Sequence, residues 1–244
     1  MLHYHGTPIT PNKDALEIMK KRFAFVSYNN NSQTDLMFSI CKGVSIDNGA
    51  FSFWKKDIVP DWEGYYKFVE KYMRYPNFNF AIIPDVIDGS EDDNDKLIMR
   101  WYSLFGKSVG VPVWHLHESF ERLNRLANQF PMIAFGSSGD YSIVGNPDWW
   151  NRMSQALEII CIDGQPKCKI HGLRMLNVKI FTKIPFYSCD STNVAQNKNI
   201  DCRWTGSYLP KNKALRGEII AQNIEFYRSA ERWTNDIVIQ NNLF

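Results

Sequence analysis

No run of about 18 or more apolar residues occurs in the 244-residue chain, so no segment reads as a membrane-spanning helix. The opening stretch, MLHYHGTPIT, lacks the apolar centre of a secretory leader. No Cys-x-x-Cys pair is present. The five cysteines (Cys41, Cys161, Cys168, Cys189 and Cys202) are odd in number and widely spaced, which reads as reduced thiols in a cytoplasm rather than a disulfide framework. Internal repeats and low-complexity tracts are also missing, which argues against a solenoid. The formal charge of +2 is too small to hold a nucleic acid unless the basic side chains gather on one face.

Aromatic side chains, by contrast, are plentiful. At 14% of the chain they serve either a dense core or flat surfaces on which bases or sugars stack. No linker divides the sequence, and its length fits one large domain over 1–244 or at most two small ones.

Short apolar runs alternate with segments of helical period. The runs are FAFVSY (23–28), GVSID (43–47), NFAIIPD (79–85), VPVWHLH (111–117), MIAFGS (132–137), CKIHGL (168–173) and PFYSCD (185–190), with a weaker candidate at IDCRWTG (200–206). Their lengths are those of buried strands. Between them, SEDDNDKLIMRWYSLF opens on Ser90 as N-cap with acids in its first turn, and NPDWWNRMSQALEII opens on Asn146 with Pro147 at the first helical position. DWEGYYKFVEKYM and ERLNRLANQF are amphipathic. Near the carboxyl end, Leu215, Ile219, Ile220, Ile224, Tyr227 and Trp233 fall on one stripe, predicting a helix that packs its large apolar side chains. Repeated strand–helix alternation without a Gly-rich dinucleotide fingerprint predicts an α/β fold of (β/α)8 TIM-barrel type.

In such a barrel the chemistry lies at the carboxyl ends of the strands. Nearly every run here ends in polar groups: Asp47, Asp85, His115 with His117 and Glu118, Gly136 with Ser137 and Ser138, His171, and Asp190. Each has a plainer reading. Asp47-Asn48-Gly49 fits a simple turn, although a turn leaves Phe51, Phe53 and Trp54 unexplained. Glu91, Asp92, Asp93 and Asp95 read as a solvated helix start. His115 and His117 share one face of a strand and suit hydrogen bonding better than metal binding, since no third ligand is evident. The Gly136–Tyr141 segment is a turn or a surface that a flat ligand approaches closely. Two carboxylates on different strands suit covalent displacement at a sugar carbon, one as nucleophile and the other as general acid and base.

These residues carry a resemblance to the queuine/archaeosine tRNA-guanine transglycosylase superfamily, and within it to the short phage-type (DpdA-type) enzymes that place 7-deazaguanines in DNA. DNGAF (47–51) resembles the family's Asp-Ser-Gly-Gly-Phe motif, and PDV (84–86) its base-reading strand-end Asp. AFGSSGDY (134–141) is similar to its Gly-rich strand end, HGLRML (171–176) to its His-x-Leu-Gly segment, and CDSTN (189–193) to its nucleophile motif. The resemblance implies a transglycosylase-like barrel without the zinc subdomain, needing no cofactor and no metal. It implies Asp190 as nucleophile and Asp47 as general acid/base, roles the two could exchange. It also implies that Asp85 accepts from the base's N1 and exocyclic amine, with Gly136, Ser137, His117 and Phe51 around the base.

The tRNA enzymes carry a Cys-x-Cys-x-x-Cys zinc site with a later His. Here only Cys202 and no His follows Asp190, and the chain is shorter. Both departures favour DNA over tRNA as partner. A basic segment over 198–244, with Lys198, Arg203, Lys211 and Lys213 interleaved with Trp204 and Tyr208, adds candidate phosphate contacts. The expected activity is exchange of guanine in DNA for a 7-deazaguanine such as 7-cyano-7-deazaguanine. The same exchange on tRNA, a base-excising glycosylase and a nucleic-acid-binding barrel without turnover are the alternatives.

Overall fold

The computed structural model describes residues 1–107, 109–198 and 210–234. Within them the order is β1 (Leu2–Gly6), α1 (Asn12–Met19), β2 (Phe23–Ser27), α2 (Thr34–Ile40), β3 (Gly43–Asp47), α3 (Ala50–Lys55), α4 (Trp62–Tyr72), β4 (Phe78–Ile82), α5 (Glu91–Phe105), β5 (Gly110–Val111), β6 (Val113–His115), α6 (Phe120–Gln129), β7 (Met132–Gly136) and α7 (Pro147–Ile160). Then follow β8 (Cys161–Ile162), β9 (Gln165–Pro166), β10 (Lys169–Gly172), α8 (Val178–Phe181), β11 (Ser188–Ser191), α9 (Asn193–Asn197) and α10 (Lys213–Glu225).

One sheet has the strand order β5-β4-β3-β2-β1-β11-β10-β7-β6. The pairings β1–β2, β2–β3, β3–β4, β6–β7, β7–β10 and β10–β11 are all parallel. The strands that begin and end this order, β5 and β6, are separated in sequence by Pro112 alone. This is the connectivity of a barrel-type parallel α/β fold, in agreement with the expected architecture. The short β8–β9 pair is a separate antiparallel hairpin that the sequence did not announce.

The chain divides into two compact units. Among the described residues, the flanking unit comprises 2–81, 190–198 and 210–227, and the central unit 82–107, 109–189 and 228–234. In the flanking unit, the core is aromatic. Tyr4 of β1 meets Phe23, Phe25 and Phe80 edge-on, with centroids 5.5, 6.0 and 5.6 Å away. β1 interrupts its apolar residues with His3 and His5, and for that reason it does not read as a strand. His5 is fully buried and its Nε2 lies 2.9 Å from Glu225 Oε1 on α10.

α10 corrects an expectation. It ends at Glu225, and its buried residues are the small Ala214, Gly217 and Ala221 with Ile224, while Leu215 and Tyr227 are exposed. Small residues are required because α1 lies close: a Cβ on Gly217 would sit 2.4 Å from Ile18 Cδ1. Trp233 is not on this helix; its backbone N–H donates to Gly164 O in the central unit.

In the central unit, the helix signals hold. Ser90 accepts from Asp93 N at 3.2 Å, Ser119 from Arg122 N at 3.1 Å and Asn146 from Trp149 N at 2.7 Å, each satisfying an amide that the first helical turn leaves unpaired. Trp101, Trp114, Trp149 and Phe135 fill its core. The acids at the start of α5 are not all solvated. Glu91 accepts from Ser119 N at 2.6 Å, and Asp95 accepts from Arg122 Nε at 3.2 Å, so both help fasten α6.

Candidate active site

Asp47 is the last residue of β3 and Asp190 the third of β11, so within the flanking unit both stand at the carboxyl ends of parallel strands. Asp190 is 6% exposed. Gly49 takes φ +81°, a conformation open to glycine and closed to most side chains, and Asn48 Oδ1 accepts from Ala50 N at 2.8 Å. The Asn-Gly pair therefore ends the strand at once and starts α3. Phe53 is buried, its ring edge-on to Trp62, while Phe51 and Trp54 are exposed. Of the three aromatics behind Asp47, one packs beneath the turn and two face outward. Phe51, 36% exposed, stands at the surface beside Trp54.

In the central unit, Asp85 follows β4 and is 6% exposed. The Nε2 of His115 lies 2.8 Å from Asp85 Oδ2. The Nδ1 of His115 is buried without a hydrogen-bond partner, so the ring's proton sits on Nε2 and is donated to the carboxylate. Gly136, level with His115 in the β6–β7 register, makes room for this ring: a Cβ there would lie 2.9 Å from His115 Nδ1. The residues left this segment between a turn and a surface for a flat ligand, and the resemblance put Gly136 at the base; in the structure the imidazole of His115 lies against Gly136.

A buried network fixes the backbone on both sides of the pair. Glu118 accepts from His115 N at 2.9 Å and from Arg122 Nη1 at 2.6 Å. Its other oxygen accepts from Asn94 Nδ2 at 3.1 Å, and Asn94 Oδ1 accepts from Val86 N at 2.7 Å. Glu118 was among the polar groups expected at strand ends; Asn94 and Arg122 were not anticipated as parts of the site. The spacing of Glu118 and Arg122, four apart across a helix start, was the available signal.

His117 stacks on His115, with centroids 5.7 Å apart and planes at 21°, and its Nδ1 lies 2.8 Å from Ser138 Oγ. One side of its ring reaches solvent. Desolvation of the other side, aided by neighbouring His115, holds His117 below the ordinary imidazole value, so it is neutral at pH 7. Ser137 is committed to the scaffold: its Oγ accepts from Trp149 Nε1 at 2.9 Å and its carbonyl from Arg174 Nη2 at 2.8 Å. His171 and Ser188, neighbours in the β10–β11 register, are 2.8 Å apart through Nδ1 and Oγ.

The basic residues divide. Lys198 is buried, with Nζ 2.7 Å from Asp14 Oδ2, and is a structural ion pair rather than the expected phosphate contact. Lys211 and Lys213 are exposed at the start of α10, where the helix dipole disfavours cations and an external anion would favour them. Arg203, Trp204, Tyr208 and the weak strand candidate at 200–206 lie outside the described residues.

Among the described residues, no group of three or more His, Cys, Asp or Glu side chains is arranged to hold a metal ion, and Cys41, Cys161, Cys168 and Cys189 are in no disulfide. Burial pushes the thiols of Cys41 and Cys161 up to about 12, so neither is a nucleophile at neutral pH. No helix of the described residues is long and apolar enough to cross a membrane. Comparison with protein-family models, with curated proteins and with solved structures gives no match to this chain.

Proposed function

We propose that the protein is a DNA-guanine transglycosylase, exchanging guanine in DNA for a 7-deazaguanine. The observation that carries the reading is the pair of carboxylates in the flanking unit, Asp47 closing β3 and Asp190 in β11, each at the carboxyl end of a parallel strand.

A carboxylate oxygen of Asp190 attacks C1′ of the deoxyribose. The C1′–N9 bond breaks, its electron pair goes to the departing guanine, and Asp47 supplies the proton the guanine takes. The glycosyl ester then meets the incoming 7-deazaguanine. Asp47 removes the proton from N9, N9 attacks C1′, and the ester bond to Asp190 breaks to restore the carboxylate. The exchange is redox-neutral and consumes no cofactor. Within the central unit, the resemblance gives Asp85, oriented by His115, as an acceptor for a base's ring N–H and exocyclic amine. A duplex substrate requires its target nucleotide extruded, at about a few kcal/mol.

The test is incubation of the protein with duplex DNA and labelled 7-cyano-7-deazaguanine. Wild type incorporates label, Asp190→Ala abolishes incorporation and Asp190→Asn nearly does. Wild-type rates in either variant contradict the assignment.

A further inference from the structure

α3 is six residues long and two-faced. Ala50 and Phe53 are buried, with Phe53 6.4 Å from the ring of Tyr28 and 6.2 Å from that of Trp62. On the outer face, three positions apart, Phe51 is 36% exposed and Trp54 49% exposed. Their centroids lie 5.7 Å apart with planes at 35°. The exposed Lys55 and Lys56 come next, and Ile58 and Val59, 48% and 90% exposed, extend the apolar surface. Large apolar side chains gathered at one surface mark a contact.

The chemistry of the patch selects its partner. Paired aromatic faces beside two ammonium groups match stacked bases beside phosphates. A membrane surface fits less well. A helix of six residues is too short to lay an apolar face along the headgroup boundary. The patch is also joined to Asp47 by Asn48 and Gly49 alone, so a nucleotide handled by Asp47 has its strand neighbours beside α3.

We infer that the Phe51–Trp54 edge of α3 is a stacking wedge for a DNA strand. It enters the base stack beside the target nucleotide and replaces the stacking lost when that nucleotide is extruded, while Lys55 and Lys56 hold the flanking phosphates. The inference rests on the proposed base exchange for its purpose, and on the exposed aromatic pair and its lysines for its chemistry.

The experiment is equilibrium binding of the full chain to a short duplex carrying 2-aminopurine next to a guanine, read by fluorescence and anisotropy, with incorporation of labelled 7-cyano-7-deazaguanine followed in parallel. Wild type unstacks the probe and raises its fluorescence. Trp54→Ala and Phe51→Ala remove that rise and weaken binding about 10-fold, and Trp54→Tyr restores both. Replacing Lys55 and Lys56 by Ala lowers the slope of log affinity against log salt by about 2. Thermal melting checks that the variants, altered at exposed positions, keep the wild-type fold. The inference is overturned if wild type leaves the probe stacked, if Trp54→Ala binds within about twofold of wild type, or if phosphatidylglycerol vesicles capture the protein through Trp54 while duplex does not. The two readings fail separately. A full fluorescence response without incorporation removes the exchange and keeps the wedge; incorporation with no response to Trp54→Ala removes the wedge and keeps the exchange.

Discussion

The imidazole of His115 donates to Asp85 across 2.8 Å inside the central unit, with the acid 6% and the histidine 2% exposed. A hydrogen bond to a buried carboxylate contributes about 1.5–3 kcal/mol, so His115→Leu should weaken binding of free 7-cyano-7-deazaguanine roughly 10- to 150-fold. His115→Gln, which keeps an N–H donor, should recover part of that loss. Gly136→Ala should act in the same direction as His115→Leu, because its Cβ would sit 2.9 Å from His115 Nδ1 and displace the ring. Titration calorimetry on the three variants checks this; equal affinity across all of them would show that the pair does not serve the base.

Lys198 and Asp14 form a buried ion pair 2.7 Å long between α9's end and α1. Removing one partner strands a charge, so Lys198→Ala should cost about 3–5 kcal/mol in urea unfolding. The double change Asp14→Leu with Lys198→Met should cost far less. A surface role for Lys198 predicts almost no effect of the single change.

Glu225 answers to both His5 and Arg22. Burial alone would raise its carboxyl, but the hydrogen bond and charge of His5, with Arg22, outweigh burial and hold it below the ordinary 4.5. A carboxyl depressed on folding stabilises the protein above its unfolded value, and that stabilisation is lost as pH falls through the lower folded value. Unfolding midpoints of wild type should therefore drop as pH falls from 4.5 downward, and Glu225→Gln should flatten that drop. Parallel pH profiles of wild type and variant would contradict it.

α10 lies against α1 through Gly217. Gly217→Leu should destabilise by about 1–3 kcal/mol through overpacking, and adding Ile18→Ala should return part of it. Additive losses measured by thermal melting would place the two residues out of contact.

These pairs show where the sequence was informative. β3 and β7 were legible almost to the residue, because a parallel strand covered on both faces is a continuous apolar run with few competing readings. The caps Ser90 and Asn146 were legible because a cap acts within three residues. β1 was not: its His5 is satisfied by a residue 220 positions away, and nothing local marks it as buried. Lys198 was misplaced for the same reason, with its partner 184 positions away. α10 was misread by size. Of its stripe of large apolar side chains Ile224 alone is buried on the helix, since close approach of α1 selects Ala and Gly at the other packed positions. At the site, Asp47, Asp85 and Asp190 stood out as acids ending apolar runs. The grip of His115 on Asp85 and its seat on Gly136 depend on strands coming side by side, which spacing alone does not show.

The account turns on Asp190 bonding to a sugar carbon. Denaturing the protein during turnover on duplex DNA, with the incoming base withheld, should trap a covalent protein–DNA adduct, and peptide mapping by mass spectrometry should place the link on Asp190. An adduct mapped to Asp47 would exchange the roles of the two acids. No adduct from a preparation that incorporates label once the base is supplied would contradict the covalent mechanism itself.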